Sequence, residues 1–141
     1  MRRSRALLTA AAAVLLTGTT LTFASPAQAA LPTCTIRAQV HSEYPGTYVF
    51  VPAVPGNYAP SINCLLRRGN NNDAVKVLQA SLANILDRNL AVDGSFGPLT
   101  EQAVRDVQRV YGIAIDGVYG PQTRQAMCWW TTSGNSCDWL S

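Results

Sequence analysis

The chain has 141 residues, with 11 Lys and Arg against 8 Asp and Glu, one histidine and four cysteines. That length suits about one domain. Arg2, Arg3 and Arg5 account for the basic excess, and residues 30–141 balance at eight charges of each sign, so no basic face remains for phosphate neutralisation and nucleic-acid binding is excluded.

In chain order, the basic start is followed by an apolar run from Ala6 through Leu16, weakening toward Phe23, and then by Ala27-Gln28-Ala29. This is the order of a secretory signal peptide, and cleavage is expected after Ala29. Thr17, Gly18, Thr19 and Thr20 interrupt the run, which leaves it short of the roughly 20 apolar residues that cross a bilayer. No stable membrane anchor is expected after cleavage, and the product is expected outside the cell or on the cell wall.

Residues 30–63 form a proline-rich extension carrying Pro32, Pro45, Pro52, Pro55 and Pro60 together with Tyr44, Tyr48 and Tyr58. Thr35–Val40 alternates polar and apolar, and Tyr48-Val49-Phe50-Val51 is β-branched and aromatic. With Pro45-Gly46 suited to the centre of a type II turn, these predict a short β-hairpin. The extension is too short for an independent enzyme core.

From Cys64 the pattern turns helical. Asn72 or Asp73 caps a first helix whose apolar face is Val75, Leu78, Leu82 and Ile85 or Leu86. A second helix starts at Pro98, carries Ala103, Val104, Val107, Val110 and Tyr111, and stops near Gly112. A third starts at Pro121 and carries Ala126, Met127 and Trp130, leaving 131–141 as a Cys/Trp tail.

Two stretches repeat. Val92-Asp93-Gly94-Ser95-Phe96-Gly97-Pro98-Leu99-Thr100 is echoed 23 residues later by Ile115-Asp116-Gly117-Val118-Tyr119-Gly120-Pro121-Gln122-Thr123. Ala74-Val75 to Leu78-Gln79 is likewise echoed by Ala103-Val104 to Val107-Gln108. Each Asp-Gly makes a tight turn, the aromatic plugs the core, and Gly-Pro opens the next helix. One such unit cannot bury its own apolar face, which is why repetition helps. Asp93, Gly94, Gly97, Asp116, Gly117 and Gly120 are therefore read as structural turn residues, and Gln79 and Gln108 as partners of buried loop backbone.

From about Leu66 to Trp130, roughly 65 residues, the chain resembles the three-helix peptidoglycan-binding domain attached to many bacterial cell-wall hydrolases. The resemblance rests on Gly69, Asp73, Ala74-Val75, Leu78-Gln79, Leu82, Asp93-Gly94, Phe96-Gly97, Thr100, Ala103-Val104, Gln108, Gly112, Asp116-Gly117, Tyr119-Gly120 and Thr123. Val107 departs from it, standing where the family usually has Phe, and the Trp129-Trp130 and Cys137 tail lies outside it. It implies a mainly α, three-helix peptidoglycan-binding-like bundle, here with a short N-terminal β-hairpin, spanning residues 64–130. It further implies a non-catalytic, monomeric module that binds bacterial peptidoglycan, by its glycan or its stem peptide. A divergent wall hydrolase and a secreted protein-interaction or inhibitor domain are the alternatives.

Ligand contacts are expected from Tyr111 and Tyr119, whose rings offer apolar area with a polar handle, and from Gln122 and Arg124 at the start of the third helix. Gln108 is a further candidate. Trp129, Trp130 and Trp139 either close the core or stack on a sugar. No catalytic residue, metal ligand or cofactor is expected: His41 is the only histidine, and Glu101 at a helix start is explained by the helix dipole. An even number of cysteines in an exported chain suggests two disulfides. Of the three possible pairings, Cys34–Cys64 with Cys128–Cys137 closes the shorter loops.

Overall fold

A computed structural model describes residues 30–134 and 136–140. The expected signal peptide, 1–29, lies outside the described residues. Strands β1 (Ile36–His41) and β2 (Tyr48–Ala53) precede helices α1 (Asp73–Ile85), α2 (Pro98–Val110) and α3 (Pro121–Ala126). Two short strands, β3 (Trp129–Trp130) and β4 (Cys137–Asp138), follow.

β1 and β2 pair antiparallel, from Ile36 against Ala53 to His41 against Tyr48. The turn between them is closed by the Thr47 N–H donating to the Tyr44 carbonyl at 3.1 Å, around Pro45-Gly46. Alternation then decides the faces: Val49 and Val51 are enclosed while Phe50 between them is only half-buried.

The helices start where the chain supplies the right chemistry. The Asn72 side chain accepts from the Val75 N–H at 3.1 Å and caps α1. Pro98 and Pro121 open α2 and α3, where a missing N–H costs nothing. α1 places Val75, Leu78 and Leu82 on its buried face, and α2 does the same with Ala103, Val104 and Val107. Enclosing a side chain of the Leu78 kind is worth about 1.5–3 kcal/mol.

The expected mainly α three-helix bundle is overturned. The helices have 13, 13 and 6 residues, and the described residues also hold two antiparallel two-stranded sheets. α3 ends at Ala126 because Met127 turns extended, with ψ 151°. Trp130, expected on the third helix, instead lies in β3, paired with Cys137 of β4. The Cys128–Cys137 disulfide bridges this hairpin, and an isolated bridge between Val49 and Thr131 joins it to β2. A six-residue helix cannot cover the flank of α1, and β2 packs there instead. The fold is mixed α and β.

The segment 64–71 stitches these parts together. Leu65 exchanges backbone hydrogen bonds with the chain around Pro32 and Cys34 beside the Cys34–Cys64 disulfide. Leu66 pairs reciprocally with Tyr119 at 2.9 Å each way, and the Phe96 N–H donates to the Asn70 carbonyl at 2.8 Å. A single cluster results, uniting Val49 and Val51, Leu78 and Leu82, Val104 and Val107, the plugs Phe96 and Tyr119, and Met127 and Trp129.

Candidate functional site

Two polar constellations hold the turns ahead of α2 and α3. Gln79, 1% exposed, accepts the Gly94 N–H through Oε1 at 2.8 Å. Its Nε2 faces Asp93 Oδ1, the Ser95 carbonyl and Thr100 Oγ1 at 2.9, 3.0 and 3.1 Å. Gln108, also 1% exposed, accepts the Gly117 N–H at 2.9 Å. Its Nε2 faces Asp116 Oδ1, the Val118 carbonyl and Thr123 Oγ1 at 2.7, 3.0 and 3.1 Å. A primary amide has both a donor and an acceptor end, so one side chain satisfies both signs of buried backbone polarity. Gly94 and Gly117 sit at φ +82° and +74°, a region glycine enters without steric cost. A Cβ on Gly117 would come within 2.9 Å of Glu101 Cγ.

The turn carboxylates accept from the following backbone, Asp93 from Ser95 N–H and Asp116 from Val118 N–H, both at 2.8 Å. The Ser95 N–H first, and the Gln79 amide second, hold the Asp93 carboxyl below the usual carboxylate range.

The five expected ligand residues separate by burial. Tyr119 is fully enclosed, its ring edge-on to Trp129 with centroids 5.9 Å apart, and burial pushes its phenol pKa well up. Arg124 is 7% exposed, and its Nη1 donates to the Ile62 carbonyl at 2.6 Å and to Asn63 Oδ1 at 3.3 Å. Gln108 is committed to its turn. All three side chains are enclosed. Tyr111 is half-buried and Gln122 exposed, and both offer surface. Gly97 and Gly120 precede the helix-opening prolines as N-caps with extended backbone.

Among the described residues, no group of three or more His, Cys, Asp or Glu is arranged to hold a metal, and no helix is long and apolar enough to cross a membrane. The Cys34–Cys64 and Cys128–Cys137 disulfides are both formed.

A surface concavity of about 320 Å³ lies elsewhere, between α1 and the two hairpins. Arg37, Phe50 and Trp130 meet Lys76, Val77, Ala80 and Asn84 there. The Arg37 guanidinium stands over the Phe50 ring, 5.0 Å from its centroid. Of these residues, Trp130 was expected either to close the core or to stack on a sugar, and Arg37 and Phe50 were expected only as members of the β-hairpin. The outward alternation of Arg37 and Phe50 on the hairpin was the available signal, and its value depended on how the hairpin docks on α1.

Residues 71–127 match the family described as a putative peptidoglycan binding domain. This match spans α1, both glutamine-held turns, α2 and α3. Over 114 residues the chain is 38% identical to a zinc D-Ala-D-Ala carboxypeptidase of Streptomyces albus G, an alignment covering 79% of this chain and 38% of the carboxypeptidase. The chain therefore spans well under half the length of that relative. Among solved structures, the SleB N-terminal domain is 35% identical, covering 45% of this chain and 86% of that one, with TM-score 0.43. A peptidoglycan-binding protein from Clostridioides difficile is 29% identical, covering 62% and 53%, with TM-score 0.45.

Proposed function

We propose that this chain is an exported, monomeric module that binds bacterial peptidoglycan and performs no covalent chemistry on it. The observation that carries the reading is the family match over residues 71–127. Export is supported by the basic start, the apolar run and the Ala27-Gln28-Ala29 ending, and by two disulfides, which belong to oxidising compartments. Tyr111 and Gln122 contribute direct contacts from the matched segment, while Tyr119, Gln108 and Arg124 hold its shape. Affinity at one site is modest, and the density of repeating ligand in a wall raises retention by rebinding.

The test is incubation of purified, oxidised 30–141 with insoluble peptidoglycan, scoring both sedimented protein and released muropeptides. Sedimentation without release is expected. Release of fragments overturns the non-catalytic reading, and protein left in the supernatant overturns wall binding.

A further inference from the structure

We propose that the groove between α1 and the two hairpins is a subsite for a carboxylate-bearing peptide end, of the kind a peptidoglycan stem peptide presents. This proposal rests on the wall-binding reading and gives it a place and a ligand chemistry. The groove needs residues from both sides of the matched segment: Arg37 and Phe50 come before residue 71, and Trp130 comes after 127.

Three observations support that occupant. The first is charge. Arg37 lines the groove, and among the described residues no carboxylate forms an ion pair with it. Lys76 lines the same wall and a contiguous concavity shared with Arg37, Asp73 and Val77. Its partner Asp73, at 3.0 Å, is 70% exposed, and Lys76 itself is 52% exposed. Such an exposed pair contributes little and exchanges readily for an incoming carboxylate. Arg37 also presents a planar fork suited to bidentate carboxylate recognition.

The second is apolar surface. Trp130 is 37% exposed, whereas Trp129 beside it is enclosed with its Nε1 donating to the Arg124 carbonyl at 3.1 Å. Strand alternation in β3 thus buries one indole and turns the other outward. An aromatic face beside Val77 and Ala80 suits the methyl groups of alanine-like side chains.

The third is size. At about 320 Å³ the groove is at the low end of small-ligand sites, roughly 300–1,000 Å³. That fits a short peptide terminus. The Phe50 ring under the guanidinium gives Arg37 a cation–π contact at the groove wall.

The experiment is calorimetric titration of oxidised 30–141 with a synthetic stem peptide, its C-terminal amide, and a peptide-free glycan strand. The proteins are wild type, Arg37→Ala, Trp130→Ala and, as a surface control, Tyr58→Ala. The free-acid peptide is expected to bind wild type and the control alike, and each groove variant to weaken it about tenfold. Amidation is expected to cost as much as Arg37→Ala, with no further loss when the two are combined. Melting temperatures within a degree or two of wild type show that the variants fold. Unchanged peptide affinity in both variants overturns the subsite even where wild type sediments with peptidoglycan, so wall binding survives that result. Equal dependence on Trp130 for the peptide-free glycan also overturns the peptide assignment. Failure of wild type to sediment with peptidoglycan is the separate result that removes the reading beneath it.

Discussion

At the scale of single residues, Gln79 and Gln108 decide most. Each amide reaches a turn glycine N–H, a turn aspartate, a carbonyl and a threonine hydroxyl. Replacing either by leucine keeps the volume and leaves the Gly94 or Gly117 N–H without its acceptor. The expected cost is about 3 kcal/mol for Gln79→Leu or Gln108→Leu, read as a shift in the urea midpoint. A midpoint unchanged in both would show that water replaces the amides at no cost. The structural role of these glutamines was legible in sequence because each lies on an apolar helix face. Tyr119 was legible as the core plug of the second repeat, at odds with its parallel expectation as a ligand contact, and its pairing with Leu66 fixes it inward. The burial of Arg124 was not legible, because the Ile62 carbonyl that holds it lies 62 residues away.

At the scale of elements, α2 is pinned from both ends by ion pairs. Glu101 accepts from Arg68 at 2.6 Å and from Arg105 at 3.1 Å. Asp106 accepts from Arg88 and Arg109, both at 2.8 Å. Arg105 first, then Arg68, lowers the Glu101 pKa. Burial opposes ionisation of Asp106, and hydrogen bonds from Gln102, Arg109 and Arg88 outweigh it, so its pKa is lowered too. A carboxyl depressed in the folded state adds stability above its unfolded pKa and loses it as pH falls through the folded value. The melting temperature is therefore expected to hold from neutrality to about pH 5 and to drop as pH descends past 4.5 and 3.8, the ordinary values for Glu and Asp. The drop is expected to shrink in high salt, because these groups are solvent-accessible. Glu101→Gln is expected to flatten the acid limb, and an unchanged limb would remove this account. Proline and asparagine announced the starts of all three helices. The end of α3 was hidden, since Ala126-Met127-Cys128-Trp129-Trp130 is apolar throughout and has no period that separates helix from strand. The Cys128–Cys137 bridge and the link from Thr131 to Val49 settle it in favour of β3.

At the scale of the whole molecule, composition changes at residue 63 but the hydrophobic cluster does not stop there. Val49 and Val51 pack in the same core as Leu78, Leu82 and Trp129. A fragment 64–130 would bare the α1 face that β2 covers and lose the Cys34–Cys64 bridge. Such a bridge is typically worth 2–4 kcal/mol. The excised segment is expected to melt well below 30–141 or to aggregate, compared by calorimetry at equal concentration. An equal melting temperature would show that the hairpin is an accessory.

The Cys34–Cys64 bridge encloses the whole β1–β2 hairpin, including the exposed Tyr44-Pro45-Gly46 tip and the exposed 55–60 loop. A peptidase that cuts at either place breaks the polymer without parting the molecule, because the disulfide spans both. After a cut at the 44–46 tip the β1–β2 ladder also ties the halves, with Arg37 and Phe50 on opposite sides of the break. Where degradative enzymes are abundant, a nicked copy remains a single particle, separable into two pieces only by reduction and unfolding.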